Sequence, residues 1–169
     1  ALGDPEMAPL CAERGCGLVL MHMQGTPRTM QEEPAYDDVV EDVKAFLAER
    51  IRRATDAGVA EERIWVDPGI GFGKTLDHNL ELIRRLVELG ELGRPILLGT
   101  SRKSFIGKLT GRGVGERLGG SLASAVLGVR NGAEILRVHD VAETRDAVRV
   151  TDAISGRVAW RDAPEVAEA

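Results

Sequence analysis

The stretch Arg63 to Gly90, RIWVDPGIGFGKTLDHNLELIRRLVELG, changes character twice. Ile64-Trp65-Val66 is apolar and suited to a buried strand. Pro68 and the glycines at 69, 71 and 73 then predict a loop. Beyond it, Thr75 or Asp77 can cap a helix that turns Leu80, Ile83, Leu86 and Val87 inward, with Gly90 near its end. A strand, a glycine loop and a helix in this order make one βα unit, and the rest of the chain repeats that order.

Upstream, Asp4-Pro5 predicts a helix start, with Met7, Leu10 and Cys11 apolar and Gly15 as the stop. CGLVLMHM (Cys16 to Met23) is a continuous apolar strand, as burial on both faces requires. After the loop QGTPRTMQEEP comes an amphipathic helix from Tyr36, carrying Val39, Val40, Val43, Phe46, Leu47, Ile51 and Ala54, that Gly58 stops. Downstream, PILLGTSRK predicts a third strand and residues 116–130 a helix. The small residues Gly119, Gly120, Ala123, Ala125 and Gly128 call for close backbone packing or a ligand at the helix start. EILRVHD is the fourth strand, and Asp140 with Glu143 in the capping-box position opens the last helix, which runs to Gly156. Strands alternating with helices predict a parallel α/β sheet with right-handed crossovers. Residues 1–156 read as one (β/α) domain and 157–169 as a loosely attached tail.

VDPGIGFGKT tests one function directly. A phosphate-cradling loop needs glycine, four spacers and Gly-Lys-[Ser/Thr], and the place of the first glycine is taken by Pro68. The ring of backbone N–H groups has a circumference set by that spacer. Asp67, at the end of a buried strand, would also repel a phosphate. A carboxylate in a glycine-lined opening suits a ligand that donates hydrogen bonds, such as an amino-pyrimidine ring.

A net charge of −5 argues against nucleic acid as a partner, and no apolar run approaches a membrane span. Cys11 and Cys16, without further Cys/His spacing, read as reduced cytosolic thiols rather than a zinc site. The chain opens ALGDPEM, which reads as the start of a fragment.

The chemistry-bearing residues gather at the carboxyl ends of the predicted strands, where both α/β barrels and open sheets place ligands. TSRKS (Thr100 to Ser104) is a solvated turn if taken alone; as a site, it offers Lys103 and Ser104 to an anion. Arg137 and His139 are two apart on a strand, hence on one face, and could clamp an oxyanion or diphosphate, while Asp140 reads as a helix cap. Met21 and Met23 share a face opposite His22; they are core filler or the apolar wall of an aromatic pocket. Phe72, between two glycines, reads as an aromatic wall over a ligand.

LMHMQGTPRTMQ, WVDPGIGFGKT, LLGTSRKSFIG and RVHDV together closely resemble the dihydropteroate synthase family, from about Asp4 to Gly156. The resemblance implies the C-terminal half of a TIM (β/α)8 barrel, its strands five to eight. It implies a transferase of folate biosynthesis that condenses 4-aminobenzoate with 6-hydroxymethyl-7,8-dihydropterin diphosphate and releases diphosphate. On it, Asp67 would accept hydrogen bonds from the pterin and stabilise a cationic methylene, with Lys103 touching the pterin. Met21 and Gly71 would line the pterin pocket. Ser104, Arg102 and Phe72 would hold the aminobenzoate, and Arg137 and His139 the departing diphosphate. Mg²⁺ is implied as cofactor through an Asn in the half that this chain lacks, so no metal ligand is expected here. The small-molecule substrates are the expected partners, with a homodimer for the full-length protein, a cytoplasmic location, and little activity in this piece alone. Two other readings are a pterin-binding methyltransferase domain and a non-catalytic half-barrel that pairs with another half.

Overall fold

In the structure, a computed structural model, residues 4–25, 30 and 34–157 are described. Helix α1 (Met7–Arg14) leads into strand β1 (Leu18–Met21) and helix α2 (Val39–Asp56). Then follow β2 (Ile64–Asp67), α3 (Leu76–Arg84), β3 (Ile96–Leu98), α4 (Ser104–Thr110), α5 (Leu118–Arg130), β4 (Ala133–Leu136) and α6 (Val141–Ile154). The four strands form one parallel sheet in chain order, β1-β2-β3-β4. Sequential order with a helical crossover after every strand is the winding of a (β/α) barrel, of which these units supply half.

The register aligns the site. Leu18 to Met21 pair one-for-one with Ile64 to Asp67, so Met21 and Asp67 lie side by side where the strands end. Leu98 pairs with Leu136 at the same rim. Beneath it lies the core: Leu20, Ile64, Val66, Ile96 and Leu98 of the sheet meet Val40, Val43 and Leu47 of α2 and Leu82 of α3, all buried to within 2%. Each such aliphatic side chain contributes on the order of 2 kcal/mol.

Several local readings change. The strands are shorter than the apolar runs, because β4 pairs only to Leu136; yet the Arg137 N–H still donates to Leu98 O at 3.0 Å, keeping the chain aligned past the strand. α1 starts at Met7, since Asp4 Oδ1 accepts the Glu6 N–H at 2.9 Å and closes a turn around Pro5. α2 starts at Val39, where Asp38 accepts from the N–H groups of Val40 and Glu41. Thr75, not Asp77, caps α3, in a reciprocal box with His78. That helix gives way to a 3₁₀ segment, Leu86–Leu92, which buries Leu86 and Leu89 and leaves Val87 64% exposed. A Cβ on Gly120 would lie 2.3 Å from Ile106 and one on Gly128 2.1 Å from Leu98, so close packing accounts for these two small residues; Gly119 faces open space. Asp140 stands at the start of α6 without a side-chain cap bond, because its carboxylate is taken elsewhere. Most of the loop after β1 and the tail from 158 lie outside the described residues, but Arg157 is tied in, donating to Val129 O at 3.2 Å.

Candidate active site

The strand ends open into a hollow of about 440 Å³ lined by Met21, Phe72, Gly99, Ser101, Lys103, Arg137, Val138 and His139. Next to this hollow, at the end of β2 and bonded to the lining Arg137, is Asp67, 1% exposed. Asp67 Oδ1 accepts the Gly69 N–H at 2.7 Å, and Oδ2 accepts from Arg137 Nη2 at 3.1 Å. Burial pushes the Asp67 carboxyl up from its ordinary pKa, against the pull of the Gly69 N–H and of Arg137, Lys103 and Lys74. A carboxylate held this way is a poor surface ion and a strong acceptor for any donor that displaces the arginine.

The loop after β2 is shaped by close contacts at its three glycines, 69, 71 and 73, all at positive φ. Gly69 has φ +70°, and a Cβ there would fall 1.8 Å from His22 O. Gly71, at φ +83°, lies under Lys103, whose Cδ a Cβ would meet at 3.3 Å; the glycine makes room for the lysine. The Gly71 N–H donates to Asn79 Oδ1 at 2.6 Å, and Tyr36 Oη donates to Gly73 O at 2.6 Å. Phe72 is thereby presented to the hollow, and Lys103 Nζ stands 4.1 Å above its ring centroid. Burial and the nearby Arg137 lower the Lys103 pKa, with Asp67 opposing.

The turn after β3 is built differently. Arg102 has φ +56°, the one left-handed non-glycine residue among the described residues. Its N–H donates to Ser121 Oγ at 2.9 Å, and its side chain forks onto Asp140 at 2.5 and 3.2 Å. Arg117 donates to the carbonyls of Arg102 and Lys103 at 3.0 and 3.3 Å. These bonds offset a conformation that costs roughly 1 kcal/mol and aim Lys103 inward.

Of the residues singled out in the sequence, Asp67, Lys103, Arg137, His139, Met21, Gly71 and Phe72 meet in or directly beneath this hollow. Arg102 and Ser104 do not line it: the first pairs with Asp140 and the second is exposed on the first turn of α4. Three participants carry roles that the sequence did not assign, although His22 and Ser101 stand among its strand-end residues. Ser101, 5% exposed, accepts the His139 N–H at 3.2 Å and lies 2.9 Å from His139 Nδ1; a hydroxyl proton given to Nδ1 leaves Nε2–H as the outward donor. Lys74 and His22, both buried, stand 2.9 Å apart behind the Gly69 to Gly73 loop. Burial lowers the Lys74 pKa to about 7, and burial with Lys74 lowers His22 to about 3.

The comparisons with known proteins decide what this architecture is. A family model described as pterin binding enzyme matches residues 1–139. The chain belongs to the pterin-binding enzyme family. It is 50% identical to the dihydropteroate synthase of Escherichia coli over 153 residues, covering 90% of this chain and 54% of the relative. Among solved structures of the family, the Yersinia pestis dihydropteroate synthase with a sulfonamide drug superposes with TM-score 0.89 at 42% identity, covering 92% of this chain and 56% of that one. The Thermus thermophilus dihydropteroate synthase in complex with 6HMPPP gives 0.87 at 46%, covering 92% and 62%. The chain thus spans about half the length of the curated relatives it matches.

The Mg²⁺ that the family resemblance implies has its expected ligand, an Asn, in the half outside this chain. Among the described residues no group of three or more His, Cys, Asp or Glu could hold a metal ion, and both Asp67 oxygens are already hydrogen-bonded. No described helix is long and apolar enough to cross a membrane.

Proposed function

We propose that the protein carrying this chain is a dihydropteroate synthase and that residues 1–156 form the half of its active site that anchors the pterin and receives diphosphate. The observation that carries this reading is the meeting, around one hollow, of a buried carboxylate, an ammonium and a guanidinium drawn from three strand ends. Solved relatives in complex with 4-aminobenzoate and with 7,8-dihydropteroate support the substrate pair.

The reaction breaks the bond between the pterin methylene carbon and the bridging oxygen, and the electron pair leaves with diphosphate. The aminobenzoate nitrogen then bonds to that carbon and gives up a proton. Asp67 accepts hydrogen bonds from the amino-pyrimidine edge, which requires the Arg137 guanidinium to swing off Oδ2. With 55% of its side chain already exposed, Arg137 is placed to make that move toward the departing diphosphate, beside His139. The Asp67 charge then lies under the developing cation, where a fixed opposite charge lowers the barrier. Lys103 bridges the pterin and the Phe72 wall, Met21 and Gly71 line the pterin side, and Ser104 with Arg102 takes the aminobenzoate carboxylate at the rim.

The complete protein is proposed as a cytoplasmic homodimer on the family resemblance. Diphosphate release by the complete protein should require both the pterin diphosphate and 4-aminobenzoate, and the 169-residue chain alone should release almost none. Release that ignores 4-aminobenzoate, or methyl transfer in its place, would contradict the reading; full rates from the short chain would refute the need for another half.

A further inference from the structure

Lys74 is buried to 3% exposure, and among the described residues no carboxylate lies within ion-pair distance of it. Packing alone does not account for such a residue: methionine would fill the same space without the several kcal/mol that an unpaired buried ammonium costs. What Lys74 does have is a pair of acceptors on different elements. Nζ donates to Phe72 O at 3.0 Å and meets His22 Nδ1 at 2.9 Å. His22 is itself a fixed platform, packed edge-on against Phe46 with centroids 4.8 Å apart and tilted against Tyr36 at 5.9 Å. It follows Met21, the β1 residue that lines the hollow, so one amine joins the end of β1 to the residue carrying the opposite aromatic wall.

We propose that Lys74 is a positioning residue that sets the Phe72 wall, through its bonds to Phe72 O and His22, and thereby tunes capture of 4-aminobenzoate. The proposal deepens the synthase reading and rests on it. Lys74 does not itself line the hollow, and its hydrogen bond reaches that surface through Phe72, whose ring in turn seats Lys103. Its low pKa fits the role, because a neutral amine still donates to both acceptors while shedding the cost of a buried charge.

Steady-state kinetics on the complete protein test it with Lys74→Met, Lys74→Gln and His22→Leu. Lys74→Met should raise KM for 4-aminobenzoate about 10-fold, with KM for the pterin diphosphate and kcat changed less than about 3-fold. Lys74→Gln, whose amide can donate to the same two acceptors, should recover most of that loss. His22→Leu should mimic Lys74→Met, and it carries the test if Lys74→Met does not fold. Folded variants with an unchanged aminobenzoate KM would overturn the proposal. So would an equal rise in both KM values, or a glutamine variant no better than methionine. If the unmutated protein fails to release diphosphate, the synthase reading falls instead, and the two failures are told apart.

Discussion

The loops after β2 and β3 both deliver a working side chain to the same hollow, and they are held in opposite ways. Behind the β2 loop stand the buried Lys74 on Phe72 O and Asn79 on the Gly71 N–H, with the half-buried Tyr36 on Gly73 O. The β3 turn is held from the rim by partly exposed charges, with the Arg102 and Asp140 side chains 39% and 17% exposed. Inner bonds in a low dielectric fix shape and are costly to break, whereas rim pairs are screened and forgiving. The β2 side is therefore suited to recognising the outline of a flat ring, and the β3 to β4 side to gathering charge that must later leave.

Substitutions can break that contrast. The largest effect should come from the floor: Asp67→Asn should lower turnover by about 1,000-fold, the scale of losing a preorganised electrostatic contact, without loss of thermal stability. Next is the rim cation. Arg137→Ala should raise KM for the pterin diphosphate by about 10-fold or more, and Arg137→Lys should restore part of it, since a point charge replaces a fork.

A pH titration of stability sharpens the same contrast through the β2 side. Lys74 is lowered to about 7 in the fold, against an ordinary 10.5, with His22, Tyr36, Asp67 and Lys103 around it. Between those values the unfolded chain binds more protons than the folded one, so stability should rise as pH climbs from about 7 to about 10. Lys74→Met should remove that rise. His22, lowered to about 3, acts with the same sign in a lower window: stability falls as pH drops below about 6.5, where the unfolded imidazole gains a proton that the buried one refuses. The smallest effect belongs to the rim pair, where Asp140→Ala should move the melting point by no more than about 3 °C.

Local pattern made the units legible. The apolar runs ending at Met21, Val66 and Leu98 and the spacing of Val40, Val43 and Leu47 carry the βα order directly, because one side of every element must be buried. Asp67 and Arg137 were readable as strand-end charges for the same reason. Long-range pairings were not. The Arg102–Asp140 fork joins residues 38 apart, and it converts an expected helix cap into a brace for a left-handed turn. Lys74 was hidden by its own motif: Gly-Lys-Thr raises the question of a phosphate loop, and rejecting that loop says nothing about a lysine turned inward. Val87 failed because helical spacing assumes an unbroken helix, and α3 yields to a 3₁₀ segment just before it.

The most direct measurement is a crystal structure of the complete protein with 6-hydroxymethylpterin. The account predicts the pterin's amino-pyrimidine edge within hydrogen-bond reach of the Asp67 carboxylate, the Arg137 guanidinium displaced from Oδ2, and the Phe72 ring unmoved. A pterin seated away from Asp67, with the Arg137–Asp67 pair intact, would contradict it.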